Sequence, residues 1–278
     1  MTLGTGGPAV SPLGVGTNRW GSGGKGRPDL EPVFHAALEA GIWLFDTAEI
    51  YGPGGSERSL GAFLASTRDT SPRPILLSKF FPFPWRLSGR SLRSALKHTL
   101  ARLGLARLDV YLIHFPWPPV SVDTWVGKLG EAVEEGLIGA AGVSNYSASQ
   151  MRRAHDVLSR RGIPLACNEV QYSLADRRAE RNGVARACQE LGATLIAYRP
   201  LGSGLLARRG STPLGSALAG VAAGRGRTAA QVALNWVMGK GALPIPGATS
   251  VAHLRENAGA LGWSLTPGET AVLEIHSP

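Results

Sequence analysis

Eight short apolar runs, separated by stretches with helical spacing, constrain this chain more than any other feature of it. They are Val10–Thr17, Ile42–Asp46, Pro74–Lys79, Asp109–His114, Ile138–Val143, Leu165–Val170, Thr194–Ala197 and Ala242–Ile245. Short continuous apolar runs bounded by turn signals read as strands buried on both faces, the habit of parallel sheets. The stretches between them read as helices. Leu30–Ala40 stops at Gly41, and Ser88–Leu103 carries Leu92, Leu96, Leu100 and Leu103 on one face. Ser147 caps Ser147–Arg161, and Ser56 is expected to cap Ser56–Leu64. Thr124–Glu135, Ala179–Glu190, Thr228–Lys240 and Val251–Gly262 complete the helices, while Gly21–Lys25 and Ser203–Arg227 read as loops. A repeat of about thirty residues is that of βαβ units. Eight such units close as an α/β fold, the (β/α)8 TIM barrel. A doubly wound open sheet is the rival, although no G-x-G-x-x-G follows the first run. With 278 residues, 44% of them hydrophobic, the chain can bury one large core, so a single domain over residues 1–278 is expected.

Composition narrows the function classes. Cys167 and Cys188 are the only cysteines, too few and too far apart for a disulfide framework or a zinc site. A reduced, cytoplasmic protein is the expectation. The opening MTLGTGGPAVSPLG has no basic region followed by an apolar run, so it does not read as a signal peptide. No apolar stretch is long enough for a membrane span. The net charge of +9 raises nucleic acid as a partner. The basic residues, however, are arginines scattered along helices, such as Arg152, Arg153, Arg160 and Arg161, with no aromatic-interleaved run. A solvated face, or attraction for an anionic cofactor, fits that pattern better. A monomer binding a small molecule is expected.

In a barrel the active site lies at the C-terminal ends of the strands. Those ends carry Asp46, Lys79, His114, Ser144, Asn145, Gln171 and Tyr198, with Tyr51 in the turn after the second run. Each alone is a weak signal, but together they suit carbonyl reduction. Hydride arriving at carbon leaves negative charge on oxygen, which then needs a proton donor. A phenol has a pKa of about 10 and is poorly matched to neutral pH. A nearby ammonium favours phenolate, a carboxylate keeps that ammonium charged, and an imidazole can hydrogen-bond the carbonyl oxygen. Tyr51, Lys79, Asp46 and His114 would fill these four roles.

The motifs FDTAEIYG, LLSKF, DVYLIHFP, GVSNYS, NEVQYS, IAYRPLGSGLL and PIPGATS…REN resemble, in order and over nearly the whole chain, those of the aldo-keto reductase superfamily. SKFFPFPWRL and ALGWSLT look like the chloroplast, cyanobacterial and pyridoxal reductase-like branch. The resemblance implies reduction of an aldehyde or ketone with NADPH, without a metal, with NADH as a second candidate. A cofactor-binding regulatory subunit like the potassium-channel β-subunits is the alternative, and an isomerase or dehydratase on a plain barrel is a third reading. By resemblance, Tyr51 is the proton donor, Lys79 and Asp46 tune it, and His114 orients the carbonyl. Ser144, Asn145 and Gln171 meet the nicotinamide carboxamide, and Tyr198 stacks on its ring. Arg199, Pro200, Leu201, Gly202 and Gly204 pass the pyrophosphate. Gly247, Thr249, Ser250, His253, Arg255, Glu256 and Asn257 surround the adenosine end, and Thr17 and Asn18 join the cofactor set. Arg199 stands where the family usually has a small residue, and Thr249 where it often has a cation. The loop after Tyr198 is short, leaving Arg208 and Arg209 as candidate clamp residues. Trp20, Trp85, Phe115 and Trp117 lie on loops above the strand ends and are expected to line an apolar substrate pocket.

Overall fold

The computed structural model describes residues 1–21, 29–67, 71–207 and 212–278. The greater part of the Gly21–Lys25 loop, and Arg208 and Arg209, lie outside them. All eight expected strands form: β1 (Gly14–Gly16), β2 (Leu44–Asp46), β3 (Ile75–Phe80), β4 (Leu108–Ile113), β5 (Ile138–Ser144), β6 (Leu165–Gln171), β7 (Thr194–Tyr198) and β8 (Leu243–Pro244). They pair in parallel in chain order. Gly16 donates to the Pro246 carbonyl at 3.0 Å, and its bridge to Gly247 brings the last strand end against the first. A Cβ on Gly16 would stand 2.9 Å from the Ile245 carbonyl oxygen, so this seam takes only glycine there. The result is a nearly closed (β/α)8 barrel.

Alternation along the strands sorts side chains into two layers. Leu44, Ile75, Leu77, Val110, Leu112, Cys167, Ile196 and Leu243 fill the barrel interior, with Leu3 and Val10 packed against its lower end. Those two belong to an N-terminal hairpin bridged at Thr2 and Ala9. The other face of the strands packs against the helices as one continuous core, including Phe34, Phe45, Leu96, Trp125, Tyr146 and Trp236.

The helices are α1 (Glu31–Glu39), α2 (Gly55–Ala65), α3 (Gly89–Leu103), α4 (Val122–Glu134), α5 (Ala148–Ser159), α6 (Arg178–Arg181), α7 (Val184–Glu190), α8 (Pro213–Arg225), α9 (Ala229–Gly239), α10 (Val251–Ala258) and α11 (Pro267–Ile275). Ser147 caps α5 in a reciprocal capping box with Gln150, as its sequence predicts. Four details differ from the sequence reading. Gly54, left-handed at φ 75, caps α2, while Ser56 turns inward between Thr17 and Thr47. The stretch 179–190 breaks at Gly183, left-handed at φ 79, which separates α6 from α7. Most of the segment expected as the Ser203–Arg227 loop is α8, started by Thr212 accepting from the Gly215 amide. Helix α11, unanticipated, starts on a Thr266–Glu269 capping box. No helix among the described residues is long and apolar enough to cross a membrane.

Candidate active site

At the C-terminal mouth of the barrel, Lys79 of β3 points inward with no exposed surface. A lone ammonium there would be prohibitively desolvated. It is hydrogen-bonded to the Asp46 carboxylate at the end of β2 and to the Thr47 carbonyl at 3.1 Å. Tyr51, from the loop after β2, brings its hydroxyl to 3.5 Å from Nζ. The Lys79 ammonium also lies over the Tyr51 ring, 5.2 Å from its centre. The loop is pinned by close backbone contact. A Cβ on Gly52 would fall 2.0 Å from the Gly21 carbonyl oxygen, and one on Gly21 would fall 2.5 Å from that of Tyr51. His114, just past β4, meets the Tyr51 ring edge-on with centroids 6.0 Å apart. The four residues expected to act together therefore converge.

The electrostatics follow from burial. Desolvation and then the Lys79 charge hold the His114 imidazole down to about 2, so it is neutral at ordinary pH. Lys79 is itself raised, because its carboxylate neighbours outweigh desolvation. The phenol of Tyr51 is pushed up by burial, pulled back by Lys79, and pushed up again by Asp46 and Glu169. From the sequence the ammonium is expected to lower it. In this state the pull exists, but burial outweighs it, and Tyr51 holds its proton.

Glu169 was not anticipated. It lies two residues before Gln171 on β6, so period-two alternation turns both inward. Its Oε2 is 3.2 Å from Lys79 Nζ, yet is buried without an aligned hydrogen bond. The available signal was a carboxylate inside the apolar stretch ACNEV.

Around this cluster the strand ends of β5 to β7 form a second polar set. Asn145 adopts a left-handed backbone at φ 61. Its amide donates to the His114 carbonyl at 3.1 Å and to Ser144 Oγ at 3.0 Å, and its oxygen accepts from the Tyr198 hydroxyl at 2.9 Å. Ser144 donates to the Glu169 carbonyl at 3.0 Å. The Gln171 side chain, half-buried, makes no hydrogen bond among the described residues. Past β7 the chain turns left-handed at Arg199, Gly202, Ser203 and Gly204. Arg199 is exposed, Pro200 is buried, and Leu201, Gly202 and Gly204 are half-buried. After β8, Gly247 is exposed beside Asn18, Thr249 and Ser250 are half-buried, and Ser250 caps α10 by accepting from the His253 amide. On α10, His253 and Arg255 are exposed, Glu256 is half-buried and Asn257 is buried.

Two expected positions are held from within the protein. The Thr17 hydroxyl is buried and committed to the Asp46 carbonyl at 2.7 Å and to Ser56. It braces the end of β2. Trp20 is fully buried, tilted against Phe45 and edge-on to Phe63, with its indole donating to the Ala248 carbonyl at 2.8 Å. It is core between barrel and helices, not pocket wall. The other aromatics do gather at the mouth. Phe115 stacks on His114 at 5.0 Å, Trp117 stacks on Phe115 at 4.6 Å, and Phe81 stands edge-on to all three. Trp85 stacks on Phe83 and is 72% exposed. Glu49 fastens this loop by accepting from the Phe81 amide at 2.6 Å and pairing with Arg86.

A parallel eight-stranded barrel whose mouth holds a buried Asp–Lys pair beside a tyrosine and a neutral histidine is of the aldo-keto reductase class. Comparison with known proteins agrees. Residues 12–277 match the sequence model of the Aldo/keto reductase family, and the chain belongs to that family. It is 38% identical to the chloroplastic pyridoxal reductase of Arabidopsis thaliana, over 96% of this chain and 83% of that protein. Among solved structures, a thermostable aldo-keto reductase in complex with the inhibitor epalrestat superposes with a TM-score of 0.86 at 33% identity, covering 99% of this chain and 98% of the other. An aldo-keto reductase from Klebsiella pneumoniae in complex with NADPH gives 0.84 at 32% identity, covering 97% and 92%.

Proposed function

We propose that this protein reduces an aldehyde or ketone to an alcohol with NADPH as cofactor and Tyr51 as proton donor. The observation that supports this most strongly is the buried Lys79 ammonium, which joins Asp46, the Thr47 carbonyl and the Tyr51 hydroxyl at the barrel mouth. The surrounding residues fit a dinucleotide. Gln171 is a strand-end amide with no protein partner among the described residues, Tyr198 offers a ring beside it, and left-handed turns at Gly202 and Gly204 allow close backbone approach. Gln171, Ser144 and Asn145 would hold the carboxamide. The left-handed turn after β7 would pass the pyrophosphate, and Gly247 to Asn257 would surround the adenosine. Thr249 offers the 2′-phosphate no cation, so NADH remains the second candidate cofactor.

NADPH supplies the hydride when bound. The protein does the rest. The aromatic wall of Phe81, Phe115 and Trp117 excludes water around the carbonyl. Neutral His114 hydrogen-bonds the carbonyl oxygen and fixes its approach. Tyr51, which arrives protonated, passes its hydroxyl proton to that oxygen as charge develops, and Lys79 stabilises the phenolate left behind.

The scattered arginines support a small-molecule role rather than nucleic-acid binding. Arg152, Arg153 and Arg161 are each paired with a carboxylate. Cys167 and Cys188 are free and buried, in keeping with a reducing compartment. The decisive experiment is NADPH oxidation by the purified protein with a nitrobenzaldehyde, or with pyridoxal, which the Arabidopsis relative's name makes the first physiological aldehyde to try. Steady oxidation is expected. NADPH binding without turnover on any aldehyde would instead indicate a regulatory subunit, and failure of both would refute the reading.

A further inference from the structure

The barrel mouth holds one ammonium and two carboxyls, where the assigned roles use only one of the carboxyls. Lys79 carries one positive charge, and Asp46 and Glu169 could carry two negative ones, all without meaningful exposure. The Oε2 of Glu169 stands 3.2 Å from the ammonium without an aligned bond, while Asp46 takes the direct one. A dry site does not tolerate an unbalanced charge, and one proton on the carboxyl pair makes the cluster neutral. We propose that Glu169 is a positioning residue that keeps its proton near neutrality, so that Lys79 serves one carboxylate, and that loss of this proton at alkaline pH weakens Tyr51 as an acid.

The groups facing Glu169 can be taken element by element. Burial pushes the Glu169 carboxyl up most, Asp46 from β2 pushes it the same way, and the opposing pull of Lys79 from β3 does not prevail, leaving Glu169 at about 8. Cys167 on its own strand and Tyr51 from the loop after β2 are both raised above the neutral range, Lys79 is raised, and Tyr198 on β7, flanked by exposed Arg199, is raised as well. His114 after β4 is held down to about 2. Asp46 is raised by burial too, but it holds the direct bond to the ammonium while Glu169 Oε2 has no aligned one, so the shared proton is placed on Glu169, which then changes charge near neutrality. Once ionised, it adds a negative charge beside Lys79, offsets the pull of the ammonium on the Tyr51 hydroxyl, and makes the phenol hold its proton more tightly.

The coupling to Tyr51 rests on the function proposed above, whereas the retained proton does not. Two readouts separate them. In cofactor-free protein, Glu169 is raised from 4.5 to about 8, so the native state keeps a proton that the unfolded chain releases. The stability this contributes is present below the lower value and lost as pH rises through the upper one. The melting temperature of wild type should therefore fall across that window relative to Glu169→Gln, which has no such proton. In turnover with NADPH and an aldehyde, the wild-type rate should fall about tenfold between roughly pH 6.5 and 9.5, and the ratio of rates at those two pH values should approach one in Glu169→Gln. Identical melting profiles in the two proteins overturn the retained proton. A lost melting slope with an unchanged alkaline limb overturns the coupling to Tyr51. If Glu169→Gln fails to fold, infrared titration of wild type decides. A protonated-carboxyl band that persists at neutral pH and disappears on the alkaline side is expected, and its absence at neutral pH overturns the proposal.

Discussion

The mouth of the barrel has two halves, and they are built on opposite principles. Over β2 to β4 most of the polar groups are buried and tied to the protein itself. Asp46 and Lys79 hold each other, Thr17 and Ser56 brace the end of β2, and Glu57 ties α2 to Ser78 and Thr99. Beyond β7, and at Asn18 after β1, several residues face solvent. Asn18, Arg199, Gly247, His253 and Arg255 are exposed, and the backbone there repeatedly turns left-handed. The first half is organised in advance of any ligand, as proton transfer requires, since a group off by an ångström loses much of its effect. The second half consists of loops and one helix start, which would suit the proposed cofactor, a large anion whose affinity would come from many modest contacts. Substitutions in the closed half should therefore be expensive in rate or stability, and those in the open half should shift only binding.

The largest expected effect breaks the chemistry and spares the cofactor. Tyr51→Phe keeps the ring against His114 and loses the proton donor. Turnover should fall on the order of 10²–10⁴-fold, the range of general acid catalysis. The NADPH dissociation constant, read by tryptophan quenching, should stay as in wild type. Near-normal turnover would remove Tyr51 from the role. Next comes Lys79→Met, which leaves two buried carboxyls without their cation. Breaking a buried pair costs about 3–5 kcal/mol, so a lower but cooperative melt with no turnover is expected. Both carboxyls are raised by burial, so this loss should deepen as pH rises. An unchanged melt with unchanged turnover would sink the assignment.

The same contrast explains what was legible in the sequence. Buried strands announce themselves as apolar runs, so all eight strands and the four converging residues at their ends could be read. Helix α8, rich in glycine and alanine, has no pronounced apolar face, and only the Thr212–Pro213 start marks it. Glu169 escaped because the sixth strand was taken to end at Val170, so the residue before it was assigned to no site. Its importance comes from a neighbour on another strand, which spacing along the chain does not show. Trp20 was misplaced for a related reason. Position after a strand end fixes which side of the barrel a residue occupies, but not its depth. Thr17 likewise lies where a cofactor contact was expected, yet its hydroxyl is claimed from within.

That difference in depth can be measured directly. Trp20→Ala should lower stability by about 3–5 kcal/mol, the range for emptying a buried aromatic site, and should orphan the Ala248 carbonyl. Trp85→Ala, at a side chain that is 72% exposed, should change the unfolding free energy by about 0.5 kcal/mol or less. Equal effects at the two positions would contradict the placement of Trp20 in the core.

The smallest expected effect belongs to the open half. Thr249 is half-buried in the turn leading into α10, with Ser250 capping the helix and Arg255 exposed one turn along it. A phosphate meeting a fixed cation gains charge-assisted hydrogen bonds, whereas the hydroxyl of NADH offers a neutral one. With threonine at this position, preference for NADPH over NADH should be modest, helped only by Arg255 and by the net charge of +9. Thr249→Lys should tighten NADPH by about tenfold, near 1.4 kcal/mol, and leave NADH nearly unmoved. Turnover at saturating cofactor and the melting temperature should not follow. Dissociation constants for both cofactors in both proteins test this. An unchanged ratio would show that the adenosine end does not lie over Gly247–Ser250. A loss of stability would show that the open half is braced from within like the closed one.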